Sequence, residues 1–195
     1  MGDRKTLVVI IVVVVGLLGL GFLFYLSVRP EPPIQGVVQI PRPVTGHDDS
    51  VDYSYEAYPL PPPGGIHFNI WQNCGVYDEP IATGNAIHAL EHGAVWIAYA
   101  SDLPTDEVAQ LQERVVDSTY VLLSPYPNLQ SPVVLSAWGV QLAVDDAGDG
   151  RIDQFIEKYR LNPKTTPELG ATCESGIGDP IDRDVRMGNV PMDSP

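Results

Sequence analysis

Positive charge is scarce in this 195-residue sequence: 11 Lys and Arg stand against 25 Asp and Glu, a formal net charge of −14. Binding DNA or RNA needs a basic face to meet phosphates, so nucleic acid is excluded as a partner. Docking on anionic lipid is disfavoured for the same reason. Acidity of this size is compatible with attracting cations, although on its own it serves solubility. Cysteine is nearly missing, with only Cys74 and Cys173, so at most one internal bridge can form. No phosphate-cradling P-loop, dinucleotide fingerprint or G-x-S-x-G occurs, and there is no internal repeat. Ser/His/Asp catalysis has no local signature.

What the sequence does contain begins with the run Leu7 to Leu26, twenty residues without a charge. As a helix it spans about 30 Å, the thickness of a bilayer's hydrocarbon core. Its Val and Ile are poor helix formers in water, but in lipid the backbone must bond with itself. The run exceeds the h-region of a cleaved signal peptide, and no small-x-small site follows Tyr25, so an uncleaved signal anchor is expected. Arg4 and Lys5 precede it and Arg29 follows, which leans towards a cytoplasmic N-terminus.

The expected organisation is therefore a cytoplasmic N-terminus (1–6), a transmembrane anchor in the lipid bilayer (7–26), a Pro-rich stalk (27–63), an extracytoplasmic domain (64–162) and an irregular tail (163–195). Nine of the nineteen prolines lie between Pro30 and Pro63, which predicts extended chain without regular structure. Tyr53, Tyr55 and Tyr58 are the residues that would pack this stretch onto the domain. Within the domain, Ile66 to Trp71 alternates as a strand does, and Ala94 to Ala100 reads as a buried strand. Thr105 caps a helix with Asp106 and Glu107 in its first turn, its apolar face carrying Val108, Leu111 and Val115 up to about Asp117. Tyr120 to Ser124 and Val133 to Val144 read as two more strands, joined through Pro125 to Asn128. Ile152, Phe155, Ile156 and Tyr159 mark one face of a last helix. The fold class is α+β, a compact mixed sheet with helices, in which strand–helix–strand is parallel and the next strand is added antiparallel.

Chemistry concentrates in His88-Ala89-Leu90-Glu91-His92. In a helix, His88 and His92 share one face, a spacing at which two imidazoles can reach one metal ion. His67 would supply a third nitrogen, and Glu91 would sit behind an imidazole and orient it. For one ion to be shared, the ring nitrogens should converge within about 4 Å. The bland alternative is a set of hydrogen-bonded structural histidines. The string also fits H-x-x-E-H, a metallopeptidase pattern, but Gly93 ends the helix too soon for such an enzyme. Asp145 to Gly150 resembles a calcium loop and fails its register, with Ala147 at the third position and Ile156 where Glu is needed.

The segments PPPGGIHFNIW (61–71), GVYDEPI (75–81) and IHALEHGAVWIAY (87–99), with Ala137-Trp138-Gly139 and Pro167-Glu168, resemble an uncharacterised bacterial family called domain of unknown function 3105. The resemblance implies a membrane-anchored or exported domain and carries His67, His88, Glu91 and His92 as matching positions. It supplies no function, but the setting of some relatives beside copper-binding exported proteins points towards copper. Cys74 and the methionine-bearing tail lie outside the family's pattern. In an oxidising compartment Cys74 and Cys173 are expected to pair, the rival being a Cys74 thiolate ligand beside His67.

The leading expectation is a non-enzymatic, membrane-anchored metal-binding protein that stores or delivers copper, with zinc as the alternative ion. His67, His88 and His92 are its ligands, and Met187 and Met192 are further thioether candidates. The second is an accessory or assembly subunit of a membrane protein complex with structural histidines. The third is a zinc hydrolase.

Overall fold

The computed structural model describes residues 2–28, 32–41, 43–116 and 118–181. The chain divides into two compact units, Met1–Pro33 and Ile34–Pro195. The first is one helix, α1 (Gly2–Ser27), which begins a turn before the uncharged run. It is long and apolar enough to cross a membrane, and its side chains are exposed within the unit all round. A helix apolar on every side has no core-facing stripe, a composition that suits lipid.

The second unit is α+β. Its six-stranded mixed sheet contains β1 (Val38–Gln39), β2 (Gly75–Val76), β3 (Val95–Ala100), β4 (Val121–Tyr126), β5 (Val133–Ala137) and β6 (Val140–Val144), in the order β1-β6-β5-β3-β4-β2. Among the described residues three helices complete it: α2 (Thr83–Glu91), α3 (Thr105–Val115) and α4 (Arg151–Tyr159). The unit β3–α3–β4 is parallel, and β5 is added antiparallel to β3 rather than to β4. Every residue of β3, β4 and β5 is buried, because both faces of the sheet are covered. The two-residue period of a strand sends alternate side chains of β3 to opposite cores. Val95, Ile97 and Tyr99 pack with Leu111 and Val115 of α3 and with Ile152, Phe155, Ile156 and Tyr159 of α4. Trp96, Ala98 and Ala100 pack with Ala86, Ile87, Ala89 and Leu90 of α2. Each fully buried large side chain contributes about 1.5–3 kcal/mol, so the sheet holds α2 firmly in place.

The structure departs from the sequence reading at several points. Val133 to Val144 is not one strand but the hairpin β5–β6, turned at Trp138-Gly139, where Gly139 takes φ 74. The tight turn needs a residue that tolerates positive φ. Pro125 and Tyr126 extend β4 instead of leaving it. β2 pairs only with Leu122 and Leu123, so further along one edge of β4 has no strand partner among the described residues and a proline breaks no ladder there. Ile66 to Trp71 is not a strand; it holds one isolated bridge, His47 to His67, and Gln72 beyond it bridges Ile177. Thr105 is the first residue of α3 rather than its cap, and Pro104 at the cap position makes no side-chain bond.

The stretch read as a stalk, 27–63, joins the second unit from Ile34 onwards. β1 pairs with β6, and Ile34, Pro61 and Pro63 are buried. The Tyr55 hydroxyl donates to the Ile81 carbonyl (3.0 Å), and that of Tyr126 donates to the Tyr58 carbonyl (2.6 Å). Tyrosine hydroxyls therefore tether a proline-rich chain that has few backbone donors of its own.

Candidate metal centre

The second half of the α2 sequence is positioned by how α2 ends. His92 occupies the C-cap and Gly93 follows with φ 110. The Gly93 N–H donates to Leu90 O and the Ala94 N–H to Ala89 O, both at 3.0 Å. This is a Schellman stop, which needs a left-handed residue. A Cβ on Gly93 would also lie 2.9 Å from the Leu161 side chain. The remaining carbonyls of the helix end go to the segment after α4: Glu168 N–H donates to Glu91 O (3.0 Å) and Gly170 N–H to His92 O (3.1 Å). His88 and Glu91 are thus fixed on the last turn, where residues three apart are neighbours.

His67 and His47 come from the wrapping segment. The His67 N–H donates to Gly46 O (2.9 Å) and the Asp48 N–H to His67 O (2.8 Å), which sets His47 beside His67. The His47 ring centroid lies 4.6 Å from that of His67 and 4.8 Å from that of His88. His47, His67, His88 and Glu91 each offer one ligand atom, and these atoms all lie within 4.8 Å of one another. His67, His88 and Glu91 are buried and His47 is exposed.

The tautomers follow from the carbonyls. His67 Nδ1 lies 2.8 Å from Gly65 O, His88 Nδ1 2.7 Å from Phe68 O, and His92 Nδ1 2.7 Å from Thr172 O. A carbonyl only accepts, so each Nδ1 carries the proton and, in the neutral ring, each Nε2 presents a lone pair. That arrangement is the one metal-ligating histidines use. Burial, and to a smaller degree the neighbouring imidazoles, lowers the His88 pKa to about 4 against the bond to Phe68, so His88 is neutral at pH 7. His67 Nε2 lies 3.0 Å from Glu91 Oε2, with both side chains buried. The distance suits a hydrogen bond but the direction does not, and among the described residues His67 Nε2 has no hydrogen-bond partner.

His92 stands next to this group, its ring centroid 4.7 Å from that of His88, but outside the set of four. Its Nε2 faces Glu168 Oε2 at 3.7 Å instead. Glu91 offers one of the four grouped atoms and also faces the His67 imidazole, and His47, which the sequence reading passed over, is the third imidazole of the group. His92, the second histidine of the H-x-x-E-H string, is not grouped with His88 and Glu91. Cys74 and Cys173 form a disulfide. The thiolate-ligand alternative for Cys74 therefore falls. Met187 and Met192 lie outside the described residues.

Clefts of about 320, 410 and 400 Å³ open elsewhere on the described surface, and none of these three is lined by the four grouped residues. The fold and site define an α+β domain behind an apolar helix, with a buried histidine–carboxylate cluster. The chain belongs to the family described as proteins of unknown function, DUF3105, whose model matches residues 46–175 and so spans all four cluster residues and both cysteines. No curated protein and no solved structure matches it.

Proposed function

We propose that this protein is a membrane-anchored, extracytoplasmic metal-binding protein. It holds one divalent transition-metal ion, preferably Cu(II), through His47, His67, His88 and Glu91. The observation that carries the reading is the facing of two buried acceptors, His67 Nε2 and Glu91 Oε2, at 3.0 Å with no hydrogen bond between them. Such a pair is repulsive unless a cation, a proton or a metal ion, lies between them. Three imidazole nitrogens and one carboxylate oxygen suit Cu(II) or Zn(II), and the set contains no sulfur to favour Cu(I). At metal–ligand bonds of about 2.1 Å, a 3.0 Å separation subtends about 90°, nearer to tetragonal Cu(II) than to tetrahedral Zn(II). The Irving–Williams order adds to that preference. The outer spread of 4.8 Å would have to contract by about an ångström, which the exposed His47 can supply. The role is storage or delivery rather than catalysis, since Glu91 acts as a ligand and is not left over as a base.

The anchor reading rests on α1 and on the disulfide, a bond that persists in oxidising compartments. Protease added to intact spheroplasts should digest the chain from about residue 30 onwards; protection until lysis reverses the orientation. The accessory-subunit reading draws on exposed Val38, Ile40 and Val44 of the outer unit. Metal analysis separates the two. The full chain, purified in detergent and dialysed against Cu(II) and against Zn(II), should retain one tightly bound ion. His67→Ala and His88→Ala should each lose it while keeping the far-UV dichroism of the parent. Retention by both variants, or failure of the parent to bind, makes the histidines structural.

A further inference from the structure

Two residues of the same region are not used by the four-ligand centre, and their geometry repeats its logic. His92 is 3% exposed, and its Nδ1 is committed to the Thr172 carbonyl, so the Nε2 lone pair is the group it offers. That nitrogen points at Glu168 Oε2 across 3.7 Å, too far for a hydrogen bond. Two ligand atoms 3.7 Å apart subtend about 120° at an ion bound through bonds of about 2.1 Å, an ordinary ligand–metal–ligand angle. The Glu168 side chain is 53% exposed, so this gap opens to solvent and water can complete a coordination shell. On its inner side the His92 ring meets the His88 ring, centroids 4.7 Å apart, and the Trp71 ring covers both at 5.1 and 5.7 Å. The bond from Glu168 N–H to Glu91 O ties the outer carboxylate to the residue that serves the inner centre.

We infer that His92 Nε2 and the Glu168 carboxylate form a second, weaker position for a divalent transition-metal ion at the rim of the His67–His88–Glu91 cluster. Ions enter and leave the buried centre through this rim position. The inference builds on the four-ligand reading but is tested apart from it. With two protein ligands it binds more loosely than the inner site, and it exchanges with solvent through the exposed carboxylate.

The test is a titration of the full chain in detergent with Zn(II), with millimolar Mg(II) present to occupy ordinary surface carboxylates. Bound zinc is counted by equilibrium dialysis, and release from the loaded protein is timed after addition of a chelator. The parent should take up two equivalents, one tight and one weak. Glu168→Gln, a surface change, should lose the weak one and keep the tight one. It should also slow chelator-driven release of the tight ion. His92→Ala should do the same, and His67→Ala should keep the weak equivalent while losing the tight one. Saturation of the parent at one equivalent that His67→Ala abolishes and Glu168→Gln leaves alone overturns the rim position while the inner centre stands. A single equivalent abolished by Glu168→Gln and untouched in His67→Ala supports the His92–Glu168 pair and overturns the four-ligand centre. Two equivalents in Glu168→Gln, released at the parent's rate, overturn the rim position outright.

Discussion

Glu91→Gln separates the metal-site account from a structural one by the sign of its effect on the empty protein. In the apo protein the Glu91 carboxylate is buried against the His67 Nε2 lone pair, 3.0 Å away and without a hydrogen bond. A buried acceptor without a donor costs about 1–3 kcal/mol, more when it is charged. Glutamine has nearly the same shape, carries no charge and offers an N–H to that lone pair. The expected result is therefore an apo protein more stable by about 1–3 kcal/mol, a rise in Tm of several degrees at the usual 2–4 °C per kcal/mol for a domain of this size. The same change removes the anionic ligand, so Cu(II) and Zn(II) affinity should fall by about 100-fold or more. The assay is thermal unfolding followed by near-UV dichroism after chelator treatment, paired with metal competition on the same preparations. A variant that gains stability and loses the metal shows that Glu91 is kept for the ion at the fold's expense. Were the pair instead an imidazolium–carboxylate ion pair, removing one charge would destabilise the apo protein by about 3–5 kcal/mol. That result refutes the reasoning.

Three further outcomes follow from the structure. Replacing Cys74 and Cys173 together by Ser opens a loop of sequence separation 99 and should lower stability by about 4–5 kcal/mol on the chain-entropy account, read as a drop in the urea midpoint; an unchanged midpoint refutes it. His88 takes up a proton near pH 6.5 when unfolded and only near pH 4 when folded. Apo stability should be full above pH 6.5 and decline as pH falls towards 4, by at most about 3 kcal/mol. His88→Gln should flatten that slope, as pH-dependent urea melts will show. Gly84→Ala would place a Cβ within 2.5 Å of the Phe68 ring, and the Phe68 carbonyl holds His88 Nδ1. Overpacking of about 1–3 kcal/mol should be accompanied by weaker metal binding, and a variant with the parent's affinity would show that the carbonyl does not orient the ring.

The parts of the fold that were legible in the sequence are those in which neighbours along the chain decide the outcome. Val95 to Ala100 is a buried strand because a short apolar run lies between Gly93 and Ser101. The four apolar residues of α4 are all buried because their spacing makes one face. The hairpin at Trp138-Gly139 was hidden because the apolar alternation on its two sides runs through the turn, and only Gly139 marks the break. The packing of residues 34–63 was underestimated for a different reason. Prolines remove backbone donors, which suggests a loose stalk, but the hydroxyls of Tyr53 and Tyr55 within the stretch and of Tyr126 outside it supply bonds in their place. Tyr53, for one, donates to the Ile66 carbonyl beside His67.

The site divides in the same way. The spacing of His88, Glu91 and His92 fixes where their Cβ atoms stand on α2, and to that extent the sequence located the centre. It does not fix the direction of an imidazole, which depends on the carbonyl that takes its Nδ1 proton. For His88 that carbonyl belongs to Phe68, and the ring joins the group with His67. For His92 it belongs to Thr172, 80 residues further along the chain and next to Cys173 of the disulfide, and the ring turns to Glu168 instead. His47 had no signal of its own, since it reaches the group only through a bridge between two irregular segments. The backbone carbonyls of the loops, rather than the helix that carries the histidines, therefore decide which imidazoles converge. A change that moves the Phe68 or Thr172 carbonyl should alter metal binding while every histidine remains in place.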